Sequence, residues 1–291
     1  MATKKTNTKK AALRKEASVR KEPDKASPAK KAKPAMANAT GSGGMQFNET
    51  ISRFHEDGFA VVRGFFCPEE LAVIESGLAD MIRDVVPTLQ KGDVYYEDTD
   101  DRPIKSMFWL ERHSETFRSL LQHPRLLGLA RALYDDPVME LGTVMYFGKA
   151  ARSGSLTPPH QDNFYQCFEP PEAMRMTIAV DASTADNGPL TCQKGSHRLG
   201  ILPHRPSDIL GFSQALIEAP DKTQYPDVEI CLNPGDICLH ATNTVHYSGP
   251  NRTDHPRRQL AIECRSTRVK QNEELLAQRR KVVARLHEQT S

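Results

Sequence analysis

The chain has 291 residues, is 38% hydrophobic and carries a formal net charge of +2 at pH 7. That total joins two unlike parts: residues 1–44 hold 12 Lys/Arg against 3 Asp/Glu, a net +9, and residues 45–291 hold 27 against 34, a net −7. No apolar run reaches the ~18 residues of a membrane span, the N-terminus has no apolar signal-peptide core, and the six cysteines (67, 167, 192, 231, 238, 264) contain no C-x-x-C pair. No membrane-spanning helix is therefore expected, and the cysteine pattern argues against a zinc ribbon or a redox dithiol.

Residues 1–44 are rich in Lys, Ala, Ser, Pro and Thr. They have too little apolar surface to offset the entropy of ordering, and a disordered basic tail is expected. Its Lys/Pro run, Ser27 to Pro34, reads as a basic localisation signal or a histone-like tail. Weak, salt-sensitive contact with nucleic acid is one expectation for it, and a solvated tail without a specific partner is the other.

The folded part is expected from Met45. Asn48 or Thr50 is placed to cap a short helix through Glu56, ended by Gly58, and Phe59 to Arg63 reads as a strand. Pro68, followed by Glu69 and Glu70, opens a helix to about Val85, with Leu71, Ile74, Leu78, Met81, Ile82 and Val85 at helical spacing. A polar loop leads to a strand near Ile104 to Trp109, then a helix over Ser114 to Leu133 broken near Pro124.

From Val138 the pattern turns to β. Short apolar runs at 138–147, 174–181, 190–193, 228–232, 236–240 and 259–265 are separated by Pro and Gly turns. Many short strands after a helical start predict a mostly β fold with flanking helices, a jelly roll. Residues 204–225 read as a lid or surface loop. The last stretch, from about Lys270, reads as a helix whose stripe Val269, Leu276, Val283 and Leu286 packs on the body. The domain reading is thus a tail at 1–44, a β domain at 45–268 and a C-terminal helix at 269–291.

The chemistry centres on Thr157-Pro158-Pro159-His160-Gln161-Asp162-Asn163-Phe164-Tyr165. On a strand, residues i and i+2 share a face, so His160 and Asp162 would offer an imidazole and a carboxylate to one point. Two His and one carboxylate form the facial triad that holds Fe(II) and leaves coordination positions open. The third ligand must come from downstream. His246 is the best candidate, and His240 is its rival.

Taken in order, these motifs resemble the phytanoyl-CoA dioxygenase family of iron(II)/2-oxoglutarate oxygenases. The resemblance rests on His160-x-Asp162, Asn187 to Leu190, Lys194 to His197, Gly235-Asp236, His246 to Asn251 and the downstream Arg257, and covers about residues 46 to 268. It implies a double-stranded β-helix, the cupin-like jelly roll, with His160, Asp162 and His246 as metal ligands. It also implies Fe(II), 2-oxoglutarate and O2 as the cofactor set. Arg257, eleven residues after His246, stands at the family's position for the distal carboxylate of 2-oxoglutarate, with Arg258 the fallback. Ser248, Gln161, Lys105 and Met145 match cosubstrate-side positions. Thr177 replaces a Trp that the family often carries. Related halogenases have a small residue where this chain has Asp162, so hydroxylation is implied.

Asn163, Tyr165 and Gln166 are expected at the substrate entrance; Arg152 and Arg175 are candidates for an anionic substrate. The functional expectation is a 2-oxoglutarate-dependent dioxygenase that hydroxylates an unactivated C–H bond of a small molecule and releases succinate and CO2. The alternatives are a metal-dependent non-oxygenase of the same fold and a basic-tailed, nucleic-acid-associated protein. The expected compartment is cytoplasmic, or nuclear if the tail is a localisation signal. Oligomeric state is left open.

Overall fold

A computed structural model describes residues 43–90, 92–209 and 212–289. The expected basic tail, apart from Gly43 and Gly44, lies outside the described residues. In chain order the helices are α1 (Gly43–Asp57), α2 (Pro68–Asp80), α3 (Glu115–Leu120), α4 (Pro124–Tyr134), α5 (Asn163–Gln166) and α6 (Glu273–Gln289). The strands are β1 (Phe59–Val62), β2 (Val94–Tyr96), β3 (Ile104–Met107), β4 (Met139–Lys149), β5 (Thr157–His160), β6 (Phe168–Glu169), β7 (Ala173–Ala179) and β8 (Leu190–Gln193). They continue as β9 (His204–Ile209), β10 (Phe212–Leu216), β11 (Asp227–Ile230), β12 (Ile237–Ala241), β13 (His246–Ser248), β14 (Arg257–Ser266) and β15 (Lys270–Gln271).

Two antiparallel sheets make the jelly roll. The larger runs β1-β12-β7-β14-β4-β3-β2 and the smaller β11-β8-β13-β5. The strand alternation of β14 explains how one sheet serves two environments. Arg257, Gln259, Ala261 and Glu263 face a cavity between the sheets, while the intervening Leu260, Ile262 and Cys264 are fully buried on the other side. Strand β7 repeats this, with Arg175 and Thr177 toward the cavity and Met174, Met176 and Ile178 buried. Where the sheets meet without a cavity, Phe59, Ala179, Cys192, Ile230, Leu232 and Cys238 form an apolar cluster. Leu78, Phe117, Leu126 and Leu129, from α2, α3 and α4, are likewise fully buried, and burying a side chain of this size contributes about 1.5–3 kcal/mol.

Local signals hold the helices in place. Glu70 accepts a hydrogen bond from Cys67 N at 3.0 Å across the first turn of α2. It also takes Arg125 of α4 at 2.5 Å, tying the two helices together. Gly58 ends α1 at φ +86°, a conformation that favours glycine. A side chain there would run into His197 and Thr244.

Several expectations change. Helix α1 begins at Gly43, so Asn48 and Thr50 lie inside it and cap nothing. The polar loop before Ile104 contains β2, recruited by pairing with β3 despite its weak alternation. Residues 204–225 contain the β9–β10 hairpin in place of a loop. The C-terminal helix starts at Glu273, after β15 pairs with β6. It packs against the hairpin, with Val282 as its most buried apolar residue. Among the described residues no helix is long and apolar enough to cross a membrane.

Candidate active site

His160 ends β5, and its cross-strand partner on β13 is His246. The pairing brings their rings to 4.2 Å between centroids. Each imidazole is oriented by a carbonyl two residues back: Nδ1 of His160 meets Pro158 O at 2.8 Å and Nδ1 of His246 meets Thr244 O at 2.9 Å. A carbonyl only accepts, so each Nδ1 carries the proton and each Nε2 presents its lone pair. Those two Nε2 atoms lie 3.8 and 3.9 Å from Oδ1 of Asp162.

Asp162 reaches this point by a different route from the one expected. It lies beyond β5, in αR conformation as the residue that opens α5. A turn, not strand alternation, brings it beside His160. Its carboxylate makes no helix-capping bond and divides its oxygens instead. Oδ2 accepts from Nε of Arg175 at 3.1 Å and from Nε2 of His240 at 3.2 Å, while Oδ1 accepts no hydrogen bond from the described residues.

His160, Asp162 and His246 place one donor atom each within 4.8 Å of one another, all three buried. Two neutral imidazoles and a carboxylate are the donor set that suits Fe(II). His240 is excluded by its role: its Nε2 donates to Asp162 and cannot offer a lone pair there as well.

The electrostatics keep this donor set free of protons. Burial, reinforced by His246, pushes His160 down to about 3, and burial with His240 pushes His246 down to about 4. Burial opposes ionisation of Asp162, but Arg175, His246 and His240 outweigh it and hold the carboxyl well below its ordinary range.

A cavity of about 370 Å³ opens from the triad. Arg257 reaches into it and is 3% exposed. One guanidinium nitrogen donates to Gly188 O at 3.1 Å and another to Gln259 Oε1, whereas Nε of Arg257 and Nε2 of Gln259 are buried without a partner. Burial lowers Arg257 to about 10, which leaves it charged at neutral pH. Arg258 points the opposite way and is occupied by Asp181 at 2.7 Å and Glu75 at 3.0 Å.

Lys105, Met145, Ser248, Tyr165, Gln166 and Arg175 line the same cavity. Gln161 does not. Its amide donates to Gly200 O at 2.8 Å and Asn243 O at 2.6 Å and accepts from Leu202 N at 2.7 Å, so it ties loops together and has no atom to spare for a cosubstrate. Asn163 is also turned away, bonded to Phe168 and Asn243. Arg152 is exposed and paired with Asp254.

Three cavity groups carry no signal in the linear sequence. Lys149 is the cross-strand partner of Arg257; its ammonium donates to Ser155 O, and burial, with Arg257 nearby, pushes it down to about 7. Glu97 accepts from Ser155 N at 2.9 Å. Glu263 sits opposite Arg175 in the sheet.

The sequence profile of the phytanoyl-CoA dioxygenase (PhyH) family matches residues 54–259. The chain belongs to the phytanoyl-CoA dioxygenase family. Among its relatives, an ectoine dioxygenase of Sphingopyxis alaskensis is 24% identical over 219 residues, covering 70% of this chain and 71% of the relative. Phytanoyl-CoA dioxygenase domain-containing protein 1 of Mus musculus is 25% identical over 257 residues, covering 73% and 87%. The crystal structure of EctD from S. alaskensis with bound Fe superposes with a TM-score of 0.64 at 22% identity, covering 77% of this chain and 79% of that one. This PhyH-family protein is a 2-oxoglutarate-dependent dioxygenase, with Fe(II), 2-oxoglutarate and O2 as its cofactors.

Proposed function

We propose that the protein hydroxylates an unactivated C–H bond of a small polar molecule at the His160–Asp162–His246 site, with Arg257 as the anchor for 2-oxoglutarate. Iron(II), 2-oxoglutarate and O2 together supply the oxidising power, converting C–H to C–OH with release of succinate and CO2. The residues contribute positioning and exclusion of water. His160 and His246 offer Nε2, and Asp162 offers Oδ1. Arg257 presents a planar guanidinium to the distal carboxylate, which matches its fork. Ser248, Lys105 and Met145 line the path between.

The observation that carries this reading is the state of Arg257: a buried cation in the triad's cavity, with its Nε and the neighbouring Gln259 Nε2 unpartnered. A buried donor without a partner is costly, and a carboxylate supplies what both lack. The test is anaerobic titration of 2-oxoglutarate into Fe(II)-loaded protein, followed by the visible charge-transfer band. Arg257→Ala is expected to raise the dissociation constant at least tenfold and Arg258→Ala to leave it within about twofold. Equal effects of the two would overturn the assignment.

A further inference from the structure

Glu263, Arg175 and His240 form one row across three neighbouring strands: Glu263 pairs with Arg175 from β14 to β7, and Arg175 with His240 from β7 to β12. The row touches the triad, because Arg175 and His240 both hold Asp162. Arg257 lies six residues back along β14, roughly 20 Å at strand spacing. A five-carbon diacid anchored on Arg257 ends well short of Glu263. The groups of this row that face the cavity are therefore left for the substrate.

Part of the hydrogen-bonding capacity of Arg175 and Glu263 is unspent. Nε of Arg175 is used on Asp162, and Nη1 hydrogen-bonds only the sulfur of Met145, at 3.5 Å, while standing 3.8 Å from Oε2 of Glu263 as a loose ion pair. Nη2 makes no hydrogen bond to the described residues. Glu263 lies 3.8 Å from Arg175, beyond hydrogen-bond range, and its carboxylate accepts no hydrogen bond from the described residues. Gln166, four residues after Asp162, also lines the cavity, and both its amide atoms are buried without a partner.

One positive and one negative group thus stand side by side on the wall, next to an amide that can donate and accept. A monoanion drawn to Arg175 would meet Glu263, and a monocation drawn to Glu263 would meet Arg175. A ligand bearing both signs satisfies both, and its selection against singly charged analogues follows from the charge left unpaired in each. We propose that the substrate is a small zwitterion, its anionic group set against Nη2 of Arg175, its ammonium or other N–H cation against Glu263, and a polar group on Gln166. This rests on the oxygenase reading of the site.

The test uses full-length protein loaded anaerobically with Fe(II) and saturating 2-oxoglutarate. Glycine, β-alanine, 4-aminobutanoate, 5-aminopentanoate and 6-aminohexanoate are titrated against alkylamines and alkanoates of the same lengths, following the shift of the charge-transfer band. At least one amino acid is expected to bind ten or more times tighter than both singly charged partners of its length, and Glu263→Gln to remove that advantage while the band persists. If no amino acid outperforms its partners, or if Glu263→Gln keeps the advantage, the zwitterion reading is overturned. Should Glu263→Gln fail to fold, the wild-type ranking decides alone. If the band never forms, the oxygenase reading itself has failed, and this one falls with it.

Discussion

Arg175 donates from Nε to Oδ2 of Asp162 at 3.1 Å and thereby leaves Oδ1 alone to face His160 and His246. The carboxylate is fixed on its far side by Arg175 and His240 and free on its near side. Groups that orient a metal ligand in this way typically change metal affinity 10–100-fold when removed. Arg175→Met is expected to weaken Fe(II) binding by about that factor, measured by anaerobic metal titration, with far-UV circular dichroism unchanged. Undiminished affinity would mean that Asp162 is held in place without it.

The carbonyl that Arg257 uses comes from Gly188, at φ +75°. A Cβ at this position would collide with the backbone oxygen of Gly249 and with the Lys149 side chain. Gly188→Ala therefore adds left-handed strain to a backbone clash. The expected loss of stability is at least ~1 kcal/mol, read by denaturant unfolding, together with weaker 2-oxoglutarate binding as Arg257 loses its partner. A variant with unchanged affinity would separate the Gly188 carbonyl from the placement of Arg257.

Acid should destabilise the metal-free protein before its carboxylates titrate. His160, His204 and His246 are buried, and burial pushes them down to about 3, 4 and 4 respectively. Unfolded, each takes a proton near pH 6.5. Between pH 6.5 and 4 the unfolded chain binds more protons than the folded one, so stability falls as pH falls through that window, by up to about 1.4 kcal/mol per histidine per pH unit. Above pH 6.5 these groups contribute no slope. Urea midpoints of the metal-free protein from pH 4.5 to 8 measure this, and His204→Gln should flatten the acid limb without touching the triad. A flat profile would contradict the buried neutral imidazoles.

How much of the site is legible in the chain depends on how far each residue's position is local. His160, Asp162 and His246 stand out because their residue types and family register are written in sequence. The choice of Arg257 over Arg258 comes from the family register, and strand alternation adds only that neighbouring residues face opposite sides. Strand alternation puts Asp162 beside His160 by the wrong route, because β5 stops at His160 and a turn into α5 brings the carboxylate there. The cosubstrate-side expectation for Gln161 comes from the family register, and the same turn draws its amide to Gly200, Leu202 and Asn243. Lys149, Glu97 and the Glu263–Arg175 pair become cavity groups only through the pairing of distant strands, which no local pattern encodes. The β9–β10 hairpin, His204–Ile209 and Phe212–Leu216, was hidden because His-Arg-Pro-Ser-Asp-Ile lacks an apolar alternation. Its position is fixed from outside, by α6 and by the Tyr165 hydroxyl donating to Gln214 O at 3.2 Å.

The most direct measurement is the Fe(II)–2-oxoglutarate charge-transfer band in His160→Ala, Asp162→Ala, His246→Ala and His240→Ala, each compared with wild type under anaerobic conditions. The wild-type band is expected to be abolished in the first three and retained, at reduced iron affinity, in His240→Ala, because His240 supports Asp162 without offering a lone pair of its own. A band that survives the loss of His246 but disappears with His240 would contradict the triad and move the third ligand to β12.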